Sequence, residues 1–352
     1  MRPSSRARRI AAVCASAGLA AGLTWLPAGP ASATVQNDFW AAADGNASFT
    51  GAGAFDCNLT VGVDSPQSTH ATFSSGTATE SVDLDQTFTS TADPSDTTRI
   101  VGHYKGSLSV SKRHGDLAGF AMGGSGTATL TRALGNASQC HTTGFLSVQA
   151  QTQFTETKPG WLYVNRDTGA SAETVFIVAN PTTMQTVLFE LYVGNASKAT
   201  ARGFLSPGTY LVPEWAVVMT VGDGGGMFKS APGGRTVERT SLASKMTGTF
   251  YVAGSALGGT RGNARHYVRL PGSVSCAHRS AKLSWTSRAG QVATASFLVN
   301  GKKKAAVSNP RAGRSVLLRH LSRTADNKIS ARLSLKGGGH ASASRAYVPC
   351  KG

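Results

Sequence analysis

Past its first 33 residues the chain has no apolar run of the length, roughly 20 residues, that a membrane-spanning helix needs. No transmembrane segment is therefore expected in the mature chain. Helical periodicity is missing too. No window keeps an apolar i, i+3, i+4 pattern for even about ten residues, so the chain reads as all-β. Catalytic motifs are absent as well: there is no G-x-S-x-G elbow, no H-E-x-x-H and no pair of histidines at ligand spacing. Gly123-Gly124-Ser125-Gly126-Thr127 comes nearest to the elbow, but it ends in Thr and no helix follows, so Ser125 is read as strand or loop. Gly222-Asp223-Gly224-Gly225-Gly226 lacks the helix that would make a phosphate cradle. His70, His103, His114, His141, His266, His278, His320 and His340 are scattered beside polar or glycine residues and read as exposed. No catalytic residue, metal site or cofactor is expected from this inventory.

Acidic residues are scarce, and unevenly so. The whole chain has 18 Asp+Glu against 35 Lys+Arg, for a formal net charge of +17. From Arg261 to Gly352 a single acid, Asp326, faces 18 Lys+Arg, a local charge of +17. From Thr34 to Thr260, 17 acids face 13 Lys+Arg, a local charge of −4, and the other four arginines lie before residue 34. A basic module on a mildly acidic body points to a polyanionic partner for the module. The alternative is that high-GC coding simply enriched surface arginine.

The first 33 residues have the form of a secretory signal. Arg2, Arg6, Arg8 and Arg9 make a positive start, Ile10 to Leu26 is apolar, and Ala31-Ser32-Ala33 is a cleavage site that places the mature start at Thr34. Four cysteines remain after cleavage: Cys57, Cys140, Cys276 and Cys350. An even count in an exported chain argues for disulfides. Three pairings are open; the sequential one, Cys57–Cys140 with Cys276–Cys350, is expected because each bridge would then staple one domain. None of the four has the close spacing of a zinc or redox pair.

What the sequence does contain is short β-type runs and turns. Leu146, Val148, Ala150, Thr152 and Phe154 alternate with polar residues at the period of a half-buried strand. Similar runs recur near 58–63, 77–88, 99–111 and 126–134, with turn chemistry at Asp44-Gly45, Asp93-Pro94-Ser95-Asp96, His114-Gly115-Asp116 and Gly123-Gly124. Residues 34–155 read as a β-sandwich or open barrel. After the break at Lys158-Pro159-Gly160, stronger runs over 161–164, 174–179, 187–193 and 215–221 read as a second sandwich, 156–254. One larger β domain across both blocks is the alternative. The glycine-rich stretch 255–269 reads as a linker. Asn46, Asn58, Asn136 and Asn195 sit in N-x-[ST] sequons.

The final 270–352 is the best-defined block. Ala295 to Val299, then Asn300-Gly301, then Lys302 to Val307 carries the strongest short hairpin signal. With Leu283-Ser284-Trp285 and the closing Tyr347-Val348-Pro349-Cys350, the block resembles the immunoglobulin-like domains that end many secreted bacterial proteins. That resemblance implies a spacer or binding module. The cysteine pair near the two ends departs from the antibody pattern, where the bridge joins interior strands.

The fold expectation is thus all-β, with two or three sandwich-like domains in tandem. The candidate polyanion-binding residues are Lys302, Lys303 and Lys304 at the hairpin with Arg311 and Arg314; Arg319 and Arg323 lie nearby in sequence. They must share a face to act together, because exposed charges more than about 10 Å apart are screened at about 0.1 M salt. Asp83, Asp85, Asp93 and Asp96 could offer oxygens to Ca²⁺, but read better as solvated acids. Trp161, Tyr163, Tyr210 and Trp215 could stack on sugar, but read better as core. The leading functional expectation is a non-enzymatic exported protein, secreted or held at the cell wall, whose basic module holds an anionic cell-wall polymer or polysaccharide rather than nucleic acid. A secreted hydrolase with a targeting domain, and a structural or adhesive surface protein, are the alternatives.

Overall fold

The computed structural model of the chain describes residues 36–49, 57–60, 68–90, 97–113, 116–133, 140–168, 172–183, 185–192, 198–222 and 236–351. The secretory leader expected over 1–33 lies outside them, as do Asn136 and Asn195 of the sequons and Asp93 and Asp96. Thirteen strands come first: β1 (Gln36–Phe49), β2 (Cys57–Thr60), β3 (Ser68–Phe73), β4 (Gly76–Ser90), β5 (Thr97–Arg113), β6 (Asp116–Ala133), β7 (Cys140–Glu156), β8 (Gly160–Thr168), β9 (Ala172–Ala179), β10 (Thr186–Tyr192), β11 (Lys198–Leu205), β12 (Gly208–Gly222) and β13 (Thr236–Val252). They form two antiparallel sheets, one in the order β10-β9-β12-β7-β1-β3 and the other β11-β8-β13-β6-β5-β4-β2.

Alternation drives this pairing. Along β5, Ile100, Tyr104, Leu108 and Val110 are buried while Arg99, Val101, His103 and Lys105 are exposed. Along β7, Leu146, Val148, Ala150, Thr152 and Phe154 all face the core, as their period requires. The inner faces of both sheets share one hydrophobic cluster that runs from Phe39 to Met246.

The boundary expected at 155/156 does not divide this core. β7, before it, pairs with β12, after it, and β6 pairs with β13. The break at Lys158-Pro159-Gly160 is real, but it is where the chain crosses from the sheet of β7 to the sheet of β8. The described residues between 36 and 252 therefore form one sandwich, the single larger domain that the sequence left as an alternative. Two expected turns also lie inside strands. Asp44-Gly45 continues β1 opposite Phe145 and Gly144. Gly123-Gly124 sits mid-β6, paired on both sides. The reason is space: a Cβ on Gly124 would come within 2.2 Å of the Tyr104 hydroxyl, so the bare backbone makes room for that buried ring.

Seven further strands complete the chain: β14 (Val268–Arg269), β15 (Ala281–Trp285), β16 (Val292–Val299), β17 (Lys302–Ser308), β18 (Ser315–Leu318), β19 (Asn327–Leu335) and β20 (His340–Tyr347). They pack as a three-stranded sheet, β14-β15-β18, on a four-stranded one, β17-β16-β19-β20. Between them lies a separate core around Leu283, Trp285, Phe297, Ile329 and Tyr347, with the Trp285 and Phe297 rings edge-on at 5.7 Å. The β16–β17 hairpin turns at Asn300 (φ 49°) and Gly301 (φ 80°), the pair of positive φ values that Asn-Gly predicts. Cys276 and Cys350 are bonded as expected. The strands carrying Cys57 and Cys140 lie in opposite sheets of the large sandwich, but the two side chains fall outside the described part.

The stretch 255–269 is structured, not a free linker. Ala256 and Arg261 bridge to Tyr347 and Ser344, Leu257 donates its N–H to the Ala346 carbonyl at 2.9 Å, and residues Asn263–His266 form a 3-10 turn with Ala264 buried. This segment lies along β20 and covers what would otherwise be an open sheet edge. The opposite edge, β17, stays open and carries the three hairpin lysines.

Candidate functional site

The outer face of the four-stranded sheet carries an open concavity of about 600 Å³. Register fixes what lines it. In one row Thr294 of β16 stands beside Ser334 of β19, and Ser334 beside His340 of β20. In the next row Ser296 stands beside Arg332, and Arg332 beside Ser342. In a third, Lys303 of β17 stands beside Leu298, and Leu298 beside Ser330. Rows are about 6.8 Å apart along a strand and neighbours within a row about 4.8 Å. Asn263 rims the concavity and fixes its edge by accepting the Ser342 N–H at 2.9 Å. Three cation-capable side chains and several hydroxyls thus share one face.

The residues expected to bind polyanions are not brought together as a set. Lys303 points outward with Leu298; Lys302 pairs opposite Val299, a residue of the inner face; Lys304 falls at the bulge between these two registers. Arg311 and Arg314 lie in the β17–β18 connection, at the far end of β17 from the hairpin. The four strand residues from Ala305 to Ser308 put about 14 Å between the two groups along the strand, beyond the screening length that clustering had to satisfy. All five side chains are exposed. The hairpin lysines also have a structural role, since charge on an open edge discourages strand-to-strand association. Sequence reading missed Arg332, His340 and the hydroxyls beside them. The alternation within β19 and β20 marks them as outward-facing, but only the inter-strand register shows that they meet.

The candidate sugar-stacking aromatics are occupied elsewhere. Trp161 is buried and donates its indole N–H to the Pro349 carbonyl at 2.9 Å. Arg202 of β11 lies over the Trp161 and Tyr163 rings, 5.0 and 5.7 Å from their centroids. The same guanidinium donates to the Tyr163 hydroxyl at 2.9 Å and to Asp326 at 2.6 Å. Desolvation raises the Tyr163 pKa, opposed by the Arg202 hydrogen bond. This group ties the two domains together and uses the one acid of the basic module. Tyr210 stacks on Phe154 and donates its hydroxyl to the Ser206 carbonyl at 2.8 Å, which anchors the turn ahead of β12. The Trp215 side chain lies outside the described part.

The remaining candidates are accounted for by pairing. Asp85 takes a two-pronged hydrogen bond from Arg99 at 2.8 and 2.6 Å, which lowers its pKa. Asp83 meets His103 Nδ1 at 2.6 Å. Among the described residues no three His, Cys, Asp or Glu gather as a metal site. The Asp83–His103 pair is the nearest arrangement to a catalytic dyad, yet both side chains are more than half exposed on a flat strand face. Ser125 is exposed opposite Lys105, two positions along the strand from the residue that faces His103. Backbone N–H groups around it serve the sheet ladder and offer no oxyanion pocket. Glu156, the last residue of β7, is buried, and its pKa is pushed up to about 8 by desolvation and then by the Asp116 carboxylate, against a backbone hydrogen bond from Leu117.

Among the described residues the fold is all-β: a thirteen-stranded sandwich followed by a smaller, basic sandwich of seven strands. No helix among the described residues is long and apolar enough to cross a membrane. No family model and no curated protein matches the chain. Among solved structures, the adhesin domain of Epf from Streptococcus pyogenes aligns over 79% of this chain and 93% of its own, at 11% identity and a TM-score of 0.18. A beta-glucuronidase of Bacteroides uniformis aligns over 57% of this chain and 26% of its own, at 15% identity and a TM-score of 0.17. Neither likeness is close enough to bear on what this chain binds.

Proposed function

We propose that this is an exported, non-enzymatic surface protein whose C-terminal domain holds it on an anionic polymer of the cell envelope or its surroundings. One observation carries the reading. The only acid between Arg261 and Gly352 is Asp326, and it is engaged with Arg202 of the large sandwich. The cations of the domain therefore have no acid of their own to pair with, and dissolved counterions or a polyanion must neutralise them. Field of one sign over a whole domain attracts polyanions and releases their counterions on binding, so affinity falls linearly with salt on logarithmic axes. The test is co-sedimentation of the full chain with cell walls across a salt series. The expected result is retention that weakens steeply with salt, and a shallower slope when Lys302, Lys303 and Lys304 are all replaced by Gln. Retention that ignores salt would sink the reading.

A further inference from the structure

We infer that the outer face of the β17-β16-β19-β20 sheet is a groove for an acidic oligosaccharide of the uronate type, with Arg332 holding a sugar carboxylate. The inference rests on the polyanion reading above and narrows it from net charge to a particular surface. Arg332 is central: it stands between Ser296 and Ser342 in its row, with Lys303 and His340 one row to either side. A planar guanidinium matches a carboxylate in a two-pronged hydrogen bond, a geometry that Lys cannot give. Thr294, Ser296 and Ser342 place hydroxyls around it that have no protein partner among the described residues. A hydroxyl both donates and accepts. Sugar hydroxyls can answer both roles, whereas a bare phosphate chain presents only acceptors and would leave half of that capacity unused. Leu298 adds an apolar patch on the same face, suited to the C–H face of a sugar ring.

The groove is also placed for access. Contacts to the large sandwich come through Asp326, ahead of β19, and Pro349, beyond the end of β20. The groove lies at the other end of those strands, where β19 finishes and β20 begins. The β20 flank is closed by the 256–263 segment, so a chain-like ligand is guided along the face rather than added to the sheet as a strand.

The experiment uses the full chain and a fluorescent oligogalacturonate, read by anisotropy at fixed salt, with inorganic polyphosphate and wall co-sedimentation run in parallel. Arg332→Gln should weaken uronate binding by about tenfold or more, because a charge-assisted two-pronged contact is lost. Arg332→Lys, which keeps the charge, should fail to restore it. The double variant Arg319→Gln/Arg323→Gln removes twice the charge at the other end of the domain, where the Arg323 carbonyl accepts the Lys351 N–H beyond β20, and should stay within about twofold of wild type, as expected for charges beyond the screening length. A methyl-esterified, uncharged oligomer should not bind. Equal losses for the groove and loop variants, or full recovery by Arg332→Lys, would overturn the groove while leaving salt-dependent wall retention standing. Polyphosphate bound as before with no uronate binding would do the same. Failure of uronate, polyphosphate and walls alike would remove both readings.

Discussion

Glu156 shows how far the period of a strand reaches. It continues the face of Leu146, Val148, Ala150, Thr152 and Phe154 by one more step, so its burial was legible from the alternation that defined β7. Its ionised form is disfavoured there, with Asp116 and the Tyr210 ring close by. The folded-state pKa of about 8 lies above the ordinary glutamate value of 4.5, so between these values the native state holds a proton that the unfolded chain has lost. Stability from this group is then full at low pH and declines as pH rises through that window. Each pKa unit corresponds to about 1.4 kcal/mol, so the total effect is of the order of a few kcal/mol. Thermal melts at about pH 5 and about pH 8.5 should show the midpoint falling at the higher pH. Glu156→Gln should flatten that difference and raise the midpoint on the alkaline side. A wild-type midpoint that does not fall would argue against a protonated Glu156.

Among the elements, the β16–β17 hairpin was the most readable, and its turn carries a simple test. Nothing lies within 4 Å of a Cβ built on Gly301, so the whole demand is on its φ of 80°. Gly301→Ala should destabilise the C-terminal domain by about 1 kcal/mol through left-handed strain alone, measurable as a shift in its denaturant midpoint. Other elements were less legible. The 255–269 stretch looked like linker because its glycines carry no apolar pattern; its order comes from backbone bonds to β20, which leave no trace in composition. Gly123-Gly124 looked like a turn because its partner, Tyr104, is about twenty positions away on another strand. The candidate site suffered most from this limit. Lys303 was visible as part of a charge run, but Arg332 and His340 join it only through the register of four hydrogen-bonded strands. The cysteines followed the easier rule. With Cys276 bonded to Cys350, removal of the expected leader with Cys14 would leave Cys57 and Cys140 only each other, and non-reducing peptide mapping of the exported protein should recover them in one linked fragment.

On the scale of the whole molecule, the junction decides whether the two sandwiches act as one. Ala253 donates to the Pro159 carbonyl, Val348 to Ser255, Trp161 to Pro349, and Arg202 reaches Asp326. The ion pair is partly exposed and by itself worth about 0–1 kcal/mol, but Arg202 also covers Trp161 and Tyr163. Arg202→Ala should therefore leave each core intact while separating their unfolding. Differential scanning calorimetry would show one transition resolving into two, with the change in the individual midpoints kept to a few degrees. Gly254 belongs to the same junction: at φ 75°, a Cβ there would lie 2.7 Å from the Cys276 sulfur.

The position of that disulfide has a mechanical consequence. Cys276 follows the domain entrance, and Cys350 lies just beyond the last strand, so the bridge closes a loop with a sequence separation of 74 that holds β15 to β20. A pull applied across the chain would travel from the junction to Cys276, through the sulfur bridge, and out at Cys350. The strands of the loop, and the groove they form, would stand outside the load path while the bridge is oxidised. Reduction would put them in series, releasing up to about 250 Å of extra contour at roughly 3.4 Å per residue. Force spectroscopy with and without reductant should show that added length as a new unfolding step. With a ligand seated in the groove the load would instead enter through β16, β19 and β20, and the oxidised bridge would share it between the two ends of the loop.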